Sequence, residues 1–305
     1  MSDRIDTHQH YLPGFYRDLL DRHGKNAGGW PMPDWSTQSA LNLMDELRIA
    51  TGVLSLSSPG VRFGDQSRDI ARRVNEFGAE LVKDRPDRFG LFASLPLPDV
   101  DGALAEVAYA FDELNADGVV LMSNVEGTYL GERSYEPLWE ELNRRGAVVF
   151  VHPDAPPMQM LDGLPAPLLD FPFDTTRTAV HMVANGVLSR HTAMKVLLSH
   201  AGGFLPYAAY RFTGAAMFNE GITAESVFTD LRRFYFDTAL SSTPATMPSL
   251  LAFADHTHIT FGSDFPFAPA SAQITAMLDD AGLDDGLHTA INRGNAEHLF
   301  PRLAR

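Results

Sequence analysis

The chain has 305 residues, 45% of them apolar and 10% aromatic, which is ample material for a buried core. Its formal charge of −15 argues against nucleic acid or an anionic membrane as partner, because both would be repelled by the surface. With no cysteine, disulfides, thiolate ligands and cysteine nucleophiles are excluded, so any transition metal must be bound by imidazole and carboxylate.

In chain order, short apolar runs alternate with amphipathic stretches of helical length. The N-terminus holds no apolar signal core, so a cytoplasmic protein is expected. Arg4–Thr7 predicts a first strand, ending in His8-Gln9-His10. Beyond a loop with His23 and Trp30, Ser36 or Thr37 can cap a helix over Gln38–Leu47. A strand over Gly52–Leu56 leads to a helix over Ser67–Lys83, ended by Arg85-Pro86 because the residue before proline avoids the helical region. Strand Phe89–Leu95 precedes helix Ala103–Leu114, with Asp99 or Asp101 as cap. Strand Gly118–Met122 precedes helix Ser134–Arg145, which stops at Gly146. Strand Ala147–His152 opens onto the proline-rich, aperiodic segment 153–173, a candidate lid loop. Helix Asp174–Leu188, strand Lys195–Ser199, helix Leu205–Phe218, strand Phe234–Ala239, helix Pro244–Ala254 and strand His258–Gly262 complete the series.

Strands alternating with helices fit either a closed barrel or an open doubly wound sheet. Polar residues end at least five of the strands: His8 and His10, His152, His200, Asp237 and Asp264. Barrel enzymes draw their reactive groups from the ends of several strands at one face, whereas an open sheet gathers them at a switch point. A single (β/α)8 TIM barrel over residues 1–305 is therefore the expected fold.

His8 and His10 are alternate residues of a strand and share a face, so both can reach one ion. A lone histidine or aspartate after a strand is commonly a cap, but His152, His200 and Asp264 together with His-x-His resist that reading. Imidazoles with one carboxylate form a common site for a catalytic divalent ion. His23 and Trp30 are candidates to line the pocket, and Phe15, Trp35 and Phe265 to form its aromatic wall. His181, His191, His256, His258, His288 and His298 lack any partner pattern.

His8-x-His10, Val151-His152-Pro153, Ser199-His200-Ala201-Gly202-Gly203 and Gly262-Ser263-Asp264-Phe265-Pro266 resemble the amidohydrolase superfamily. More narrowly, they resemble its branch of aminocarboxymuconate-semialdehyde and salicylate-type decarboxylases, in order along essentially the whole chain. The resemblance implies one divalent metal, Zn2+ first and Mn2+ second, on His8, His10, His152 and Asp264. His200 would be an acid–base group beside it, and Asp237 would orient a ligand histidine. The fourth strand carries no lysine, so the carbamylated-lysine bridge of dinuclear relatives is missing. Arg211 lies where these decarboxylases place an arginine that serves the active site, in some members across a dimer interface, which implies a homodimer. One departure concerns the substrate. Residues 39–43, before Met44-Asp45, lack the carboxylate-binding arginine of the aminocarboxymuconate enzyme, which points to a smaller aromatic acid. The stretch Phe236-Asp-Thr-Ala-Leu-Ser-Ser-Thr-Pro244 resembles 6-methylsalicylate decarboxylases.

The implied activity is non-oxidative decarboxylation of a small aromatic or unsaturated carboxylic acid, with Asp264 or His200 as proton donor. The alternative is hydrolysis of a lactone, ester or amide, in which the metal acidifies water and the same two residues take its proton.

Overall fold

The apolar runs form eight parallel strands in a computed structural model that describes residues 3–304. They are β1 Arg4–His10, β2 Ile49–Ser55, β3 Phe89–Ser94, β4 Gly118–Met122, β5 Val148–His152, β6 Lys195–Leu198, β7 Tyr235–Asp237 and β8 Ile259–Thr260. The strands neighbour one another in sequence order. The ring closes where Thr7 N–H donates to Phe261 O at 2.9 Å, Asp264 N–H to His8 O at 2.8 Å and His10 N–H to Phe265 O at 2.7 Å. This is the predicted (β/α)8 barrel.

Two apolar clusters hold it. The inner one fills the barrel with Ile5, Val53, Phe92, Val120, Val148, Phe150 and Leu197, and includes Ala296, Leu299, Phe300 and Leu303 from the chain's last turns. The larger one lies between the strands and the surrounding helices. Strands buried on both faces read in sequence as continuous apolar runs, which is why they were legible.

Helix Thr37–Glu46 begins with Ser36 as cap, in a reciprocal capping box with Ser39. Asp99, rather than Asp101, caps helix Val100–Asp112 by accepting from Gly102 N–H at 3.0 Å. The predicted helix Leu205–Phe218 divides into Leu205–Phe212 and a 3-10 stretch, Thr213–Met217. No helix among the described residues is long and apolar enough to cross a membrane.

The segment 153–173 is not loop throughout: helix Ala166–Ala184 takes its second part. Three prolines hid it. Pro165 is the cap and Pro167 sits in the first turn, where a missing N–H breaks no helical bond. Pro172 lies inside the helix, and its carbonyl accepts the Thr176 hydroxyl at 2.8 Å. Buried Asp174 ties this helix to the end of β4. It accepts from Asn124 Nδ2 at 2.7 Å, from Tyr129 OH at 2.5 Å and from the Ser123 hydroxyl.

Candidate metal centre and active site

β1 turns His8 and His10 to the same side, and each Nδ1 is held from behind. His8 Nδ1 lies 2.7 Å from Asp237 Oδ2. His10 Nδ1 lies 3.0 Å from Ser55 Oγ and 3.3 Å from Ser55 O, its register partner on β2. At the end of β5, His152 Nδ1 lies 2.8 Å from Pro153 O. A carboxylate and two carbonyls only accept, so each Nδ1 carries the proton and each Nε2 presents a lone pair. His8 and His10 Nε2 stand 3.0 Å apart, with Asp264 Oδ1 at 3.3 and 3.2 Å from them.

Donor atoms of His8, His10, His152 and Asp264 all lie within 4.8 Å of one another, and all four residues are buried. Lone pairs converging on one point beside a carboxylate suit a cation between them. This donor set therefore fits a divalent metal ion.

The carboxylates beside His8 draw positive charge to the centre, a proton that a bound ion would displace from Nε2. Burial disfavours the charged form of His8, yet the Asp237 and Asp264 carboxylates raise its pKa to about 10. Burial and the neighbouring histidines hold His152 well below the ordinary imidazole value. Asp264 is also buried, which opposes its charge, but His8, His10 and His200 keep its carboxyl well below the usual range.

Local backbone makes these positions. Asp264 has φ 57°, in the left-handed region. Asp6, one turn of the pleat before His8, accepts from Ser263 N–H at 3.0 Å, Ser263 Oγ–H at 2.5 Å and His8 N–H at 3.0 Å. Burial pushes the Asp6 carboxyl up to about 7, against the pull of those bonds. A Cβ on Gly262 would stand 2.9 Å from His8 Cβ, so only glycine lets the chain pass there.

His200 and Ala201 also have positive φ, 53° and 55°. Such conformations cost of order 1–3 kcal/mol each and persist only where the surroundings enforce them. Here Asp237 Oδ1 accepts His200 N–H at 2.9 Å. Thr176 Oγ1 accepts Phe204 N–H at 2.8 Å, and a Cβ on Gly203 would lie 2.0 Å from Pro172 O. His200 Nε2 lies 3.4 Å from Asp264 Oδ2, and its Nδ1 is buried without a partner. His200 is not one of the four converging ligands, so it borders the centre rather than completing it.

Above the centre opens a cavity of about 560 Å3. His152, His200 and Asp264 face it, with Trp30, Phe171, Phe204, Leu240 and Phe267 among its apolar lining. Trp30 is where the sequence put it. His23 is not: it stacks edge-on against Phe63 at 5.4 Å, away from the lining. Phe15 and Trp35 pack against the outer core. Phe267, two residues beyond Phe265, lines the cavity in its place. Arg211 does not line it; its side chain is exposed and bonds to nothing among the described residues. Phe171 and Ser55 were not foreseen. Phe171 lay in the aperiodic segment, and Ser55 is legible only once β2 is known to pair with β1.

A parallel eight-stranded barrel with His-x-His on β1, histidines after β5 and β6 and an aspartate after β8 defines a metal-dependent barrel of the amidohydrolase kind. The chain belongs to the amidohydrolase family, whose profile matches residues 5–302. It is 38% identical to a 6-methylsalicylic acid decarboxylase of Penicillium expansum over 315 residues, 98% of this chain and 97% of that one. Among solved structures, an amidohydrolase II superposes with a TM-score of 0.93 at 34% identity, covering 98% of this chain and 99% of that one. A dihydroxybenzoic acid decarboxylase from Polaromonas sp. JS666, solved with manganese and the inhibitor 2-nitroresorcinol, shares the fold. Its TM-score is 0.83 at 24% identity, over 100% and 98% of the two chains.

Proposed function

We propose that this chain is a metal-dependent, non-oxidative decarboxylase of small salicylate-like aromatic acids. The observation that carries the reading is the His200–Asp264 pair set beside four convergent metal ligands at the floor of an apolar cavity. His8, His10, His152 and Asp264 would hold the ion. A divalent ion bound there supplies a common anchor for the acid's carboxylate and an ortho oxygen.

The protein's own groups do the rest. Phe171 and Phe267 enclose the ring and limit water. His200, or Asp264 once it has itself taken up a proton, delivers a proton to the ring carbon as its bond to the carboxylate breaks; the bonding pair stays on that carbon and carbon dioxide leaves. The ordered tautomer of each ligand histidine, set by Asp237, Ser55 and Pro153, keeps this geometry fixed before substrate arrives.

The relatives described above that carry an activity in their names are decarboxylases, which favours carbon–carbon cleavage over the hydrolytic alternative. Zn2+ is the proposed ion from imidazole and carboxylate donors, and Mn2+ is the second candidate because the Polaromonas protein holds it. Arg211 would serve a partner's cavity in a homodimer, and a cytoplasmic location completes the proposal. The deciding experiment incubates the metal-loaded protein with salicylate, 6-methylsalicylate and 2,6-dihydroxybenzoate, and separately with lactones and esters. Release of carbon dioxide from the first set supports the reading; acid release from the second without carbon dioxide overturns it.

A further inference from the structure

Two hydroxyls facing the cavity have no partner. At the end of β2, Ser55 Oγ sits 3.0 Å from His10 Nδ1, and in the loop that follows Ser58 Oγ donates to Asp154 at 2.6 Å. Gly60 N–H closes onto Ser57 O at 2.9 Å. Ser57 is fixed between these anchors, 4% exposed and on the cavity wall, and its own hydroxyl bonds to nothing in the protein. Of the three serines in this run, the middle one is left over.

The loop after β7 repeats the arrangement. Thr238 Oγ1 accepts Gly262 N–H at 3.3 Å, Ser242 Oγ donates to Thr238 O at 3.2 Å, and the Thr243 and Thr246 hydroxyls pair at 3.0 Å. Ser241 N–H is anchored on Thr238 O at 3.0 Å, so the residue is held in place. It is 8% exposed and lines the cavity, and its hydroxyl alone in this loop has no partner. Ser249 also lines the cavity, but it is partly open to solvent and needs no other explanation.

Both hydroxyls open into the cavity with no protein partner, so each is left to donate to whatever occupies it. No lysine or arginine among the described residues lines this cavity; beside His152, His200 and Asp264 of the centre, its other titratable lining group is Tyr207. Ser57 lies two residues past the partner of His10, and Ser241 four residues past the partner of His8. The two therefore stand over the supports of the two β1 ligands, on different flanks of the centre.

We infer that Ser57 and Ser241 are specificity-determining residues, whose hydroxyls donate hydrogen bonds to oxygen atoms of the aromatic acid from two flanks of the metal centre. The inference rests on the decarboxylase reading and narrows it to acids that carry ring oxygens, because a site built to meet an oxygen discriminates against an analogue lacking it.

The test uses the metal-loaded protein and the variants Ser57→Ala, Ser241→Ala, Ser57→Thr and Ser241→Thr. With a hydroxybenzoate substrate, each alanine variant is expected to raise KM roughly 10-fold while kcat and bound metal stay near wild type, the signature of lost uniform binding. Each threonine variant, which keeps the hydroxyl, regains most of the affinity. Unchanged KM in both alanine variants overturns the inference, as does a loss of metal that accompanies the loss of affinity. Equilibrium binding of 2-nitrophenol, which cannot lose carbon dioxide, is measured in parallel. If the wild type shows no turnover but nitrophenol binding still weakens in the alanine variants, the serine assignment stands and the decarboxylase reading falls.

Discussion

Asp237 joins His8 to the His200 turn: its Oδ2 meets His8 Nδ1 at 2.7 Å while its Oδ1 accepts the His200 backbone N–H at 2.9 Å. Ala239 N–H donates to the same Oδ1 at 2.9 Å, so one buried carboxylate serves three donors. An amide of the same shape cannot. Asp237→Asn is therefore expected to weaken metal affinity by roughly 10–100-fold, as loss of a ligand's orienting partner does. At saturating metal kcat should still be reduced, because one amide oxygen cannot both accept from His8 Nδ1 and restrain the His200 turn. Metal titration followed by kinetics at saturation checks both parts; wild-type metal affinity in this variant would falsify the orienting role.

Metal content is expected to be one ion per chain. The four donor residues form a single group, and β4, which ends at Met122, brings no lysine to bridge a second ion. Elemental analysis after reconstitution should give a ratio near one, and exhaustive chelation should abolish activity until Zn2+ or Mn2+ is restored. A ratio near two, or activity that survives chelation, counts against the assignment.

His200 and Asp264 should separate on mutation. His200→Ala leaves the four converging ligands intact, so metal is retained while kcat falls by about 100-fold or more. Asp264→Ala removes a ligand and should impair metal binding and catalysis together. Equal metal loss in the two variants would move His200 into the coordination sphere.

Which parts of this were readable in the sequence follows from what each residue faces. The strands announce themselves as apolar runs, and His8, His10, His152, His200 and Asp264 stand at their ends, so the sequence shows that these side chains share one face of the barrel. Strand bounds were less certain. Phe234–Ala239 shrank to Tyr235–Asp237 because Asp237 captures Ala239 N–H and ends the ladder. Cavity walls were the least legible. Phe265 and Phe267 stand two residues apart, yet only Phe267 lines the cavity, and Phe171 sits on a helix whose prolines erase its periodicity. Ser55, Ser57 and Ser241 depend on which neighbouring hydroxyls are already engaged, a matter of pairing between distant segments.

Glu141 offers a pH test away from the site. Arg144 Nε and Nη2 donate to it at 2.7 and 2.6 Å, and Arg145 Nε at 2.6 Å. Arg144 first, then Arg145 against some burial, lowers its carboxyl from 4.5 to about 2. A depressed carboxyl stabilises the fold above its unfolded pKa and loses that contribution as pH falls toward the folded value. Discounted for solvent screening, the contribution is about 1 kcal/mol, or roughly 2–4 °C in Tm for a chain of this order of size. Glu141→Gln should show its full deficit at pH 7 and a clearly narrower one at pH 3.5. A deficit constant across that range would mean that packing, not charge, is what the substitution removes.

Arg211 is expected to act on a partner's cavity in a homodimer. It lies on helix Leu205–Phe212, six residues past the helix start, which is about 9 Å along the axis from the end nearer its own His200 turn. It does not line its own cavity, and no other arginine or lysine among the described residues does. Around it, Tyr207, Tyr210, Met217 and Phe218 are 80–87% exposed, more bare aromatic and apolar surface than a monomer ordinarily leaves in one place. Tyr207 itself lines the cavity mouth, so this face and the mouth are continuous. A two-fold interface presents the same patch from both subunits, and each would then carry the other's arginine toward a mouth. Sizing of the wild type should give a dimer. Arg211→Ala should lose activity while keeping metal, since it touches no ligand. The decisive measurement mixes His200→Ala and Arg211→Ala subunits. In the heterodimer, the chain carrying Arg211→Ala keeps its own His200 and receives an intact Arg211 from its partner, so one site is complete. Activity should therefore reappear from two inactive parents, approaching half the wild-type value per heterodimer. No recovery after confirmed subunit exchange would place Arg211 outside the partner's site.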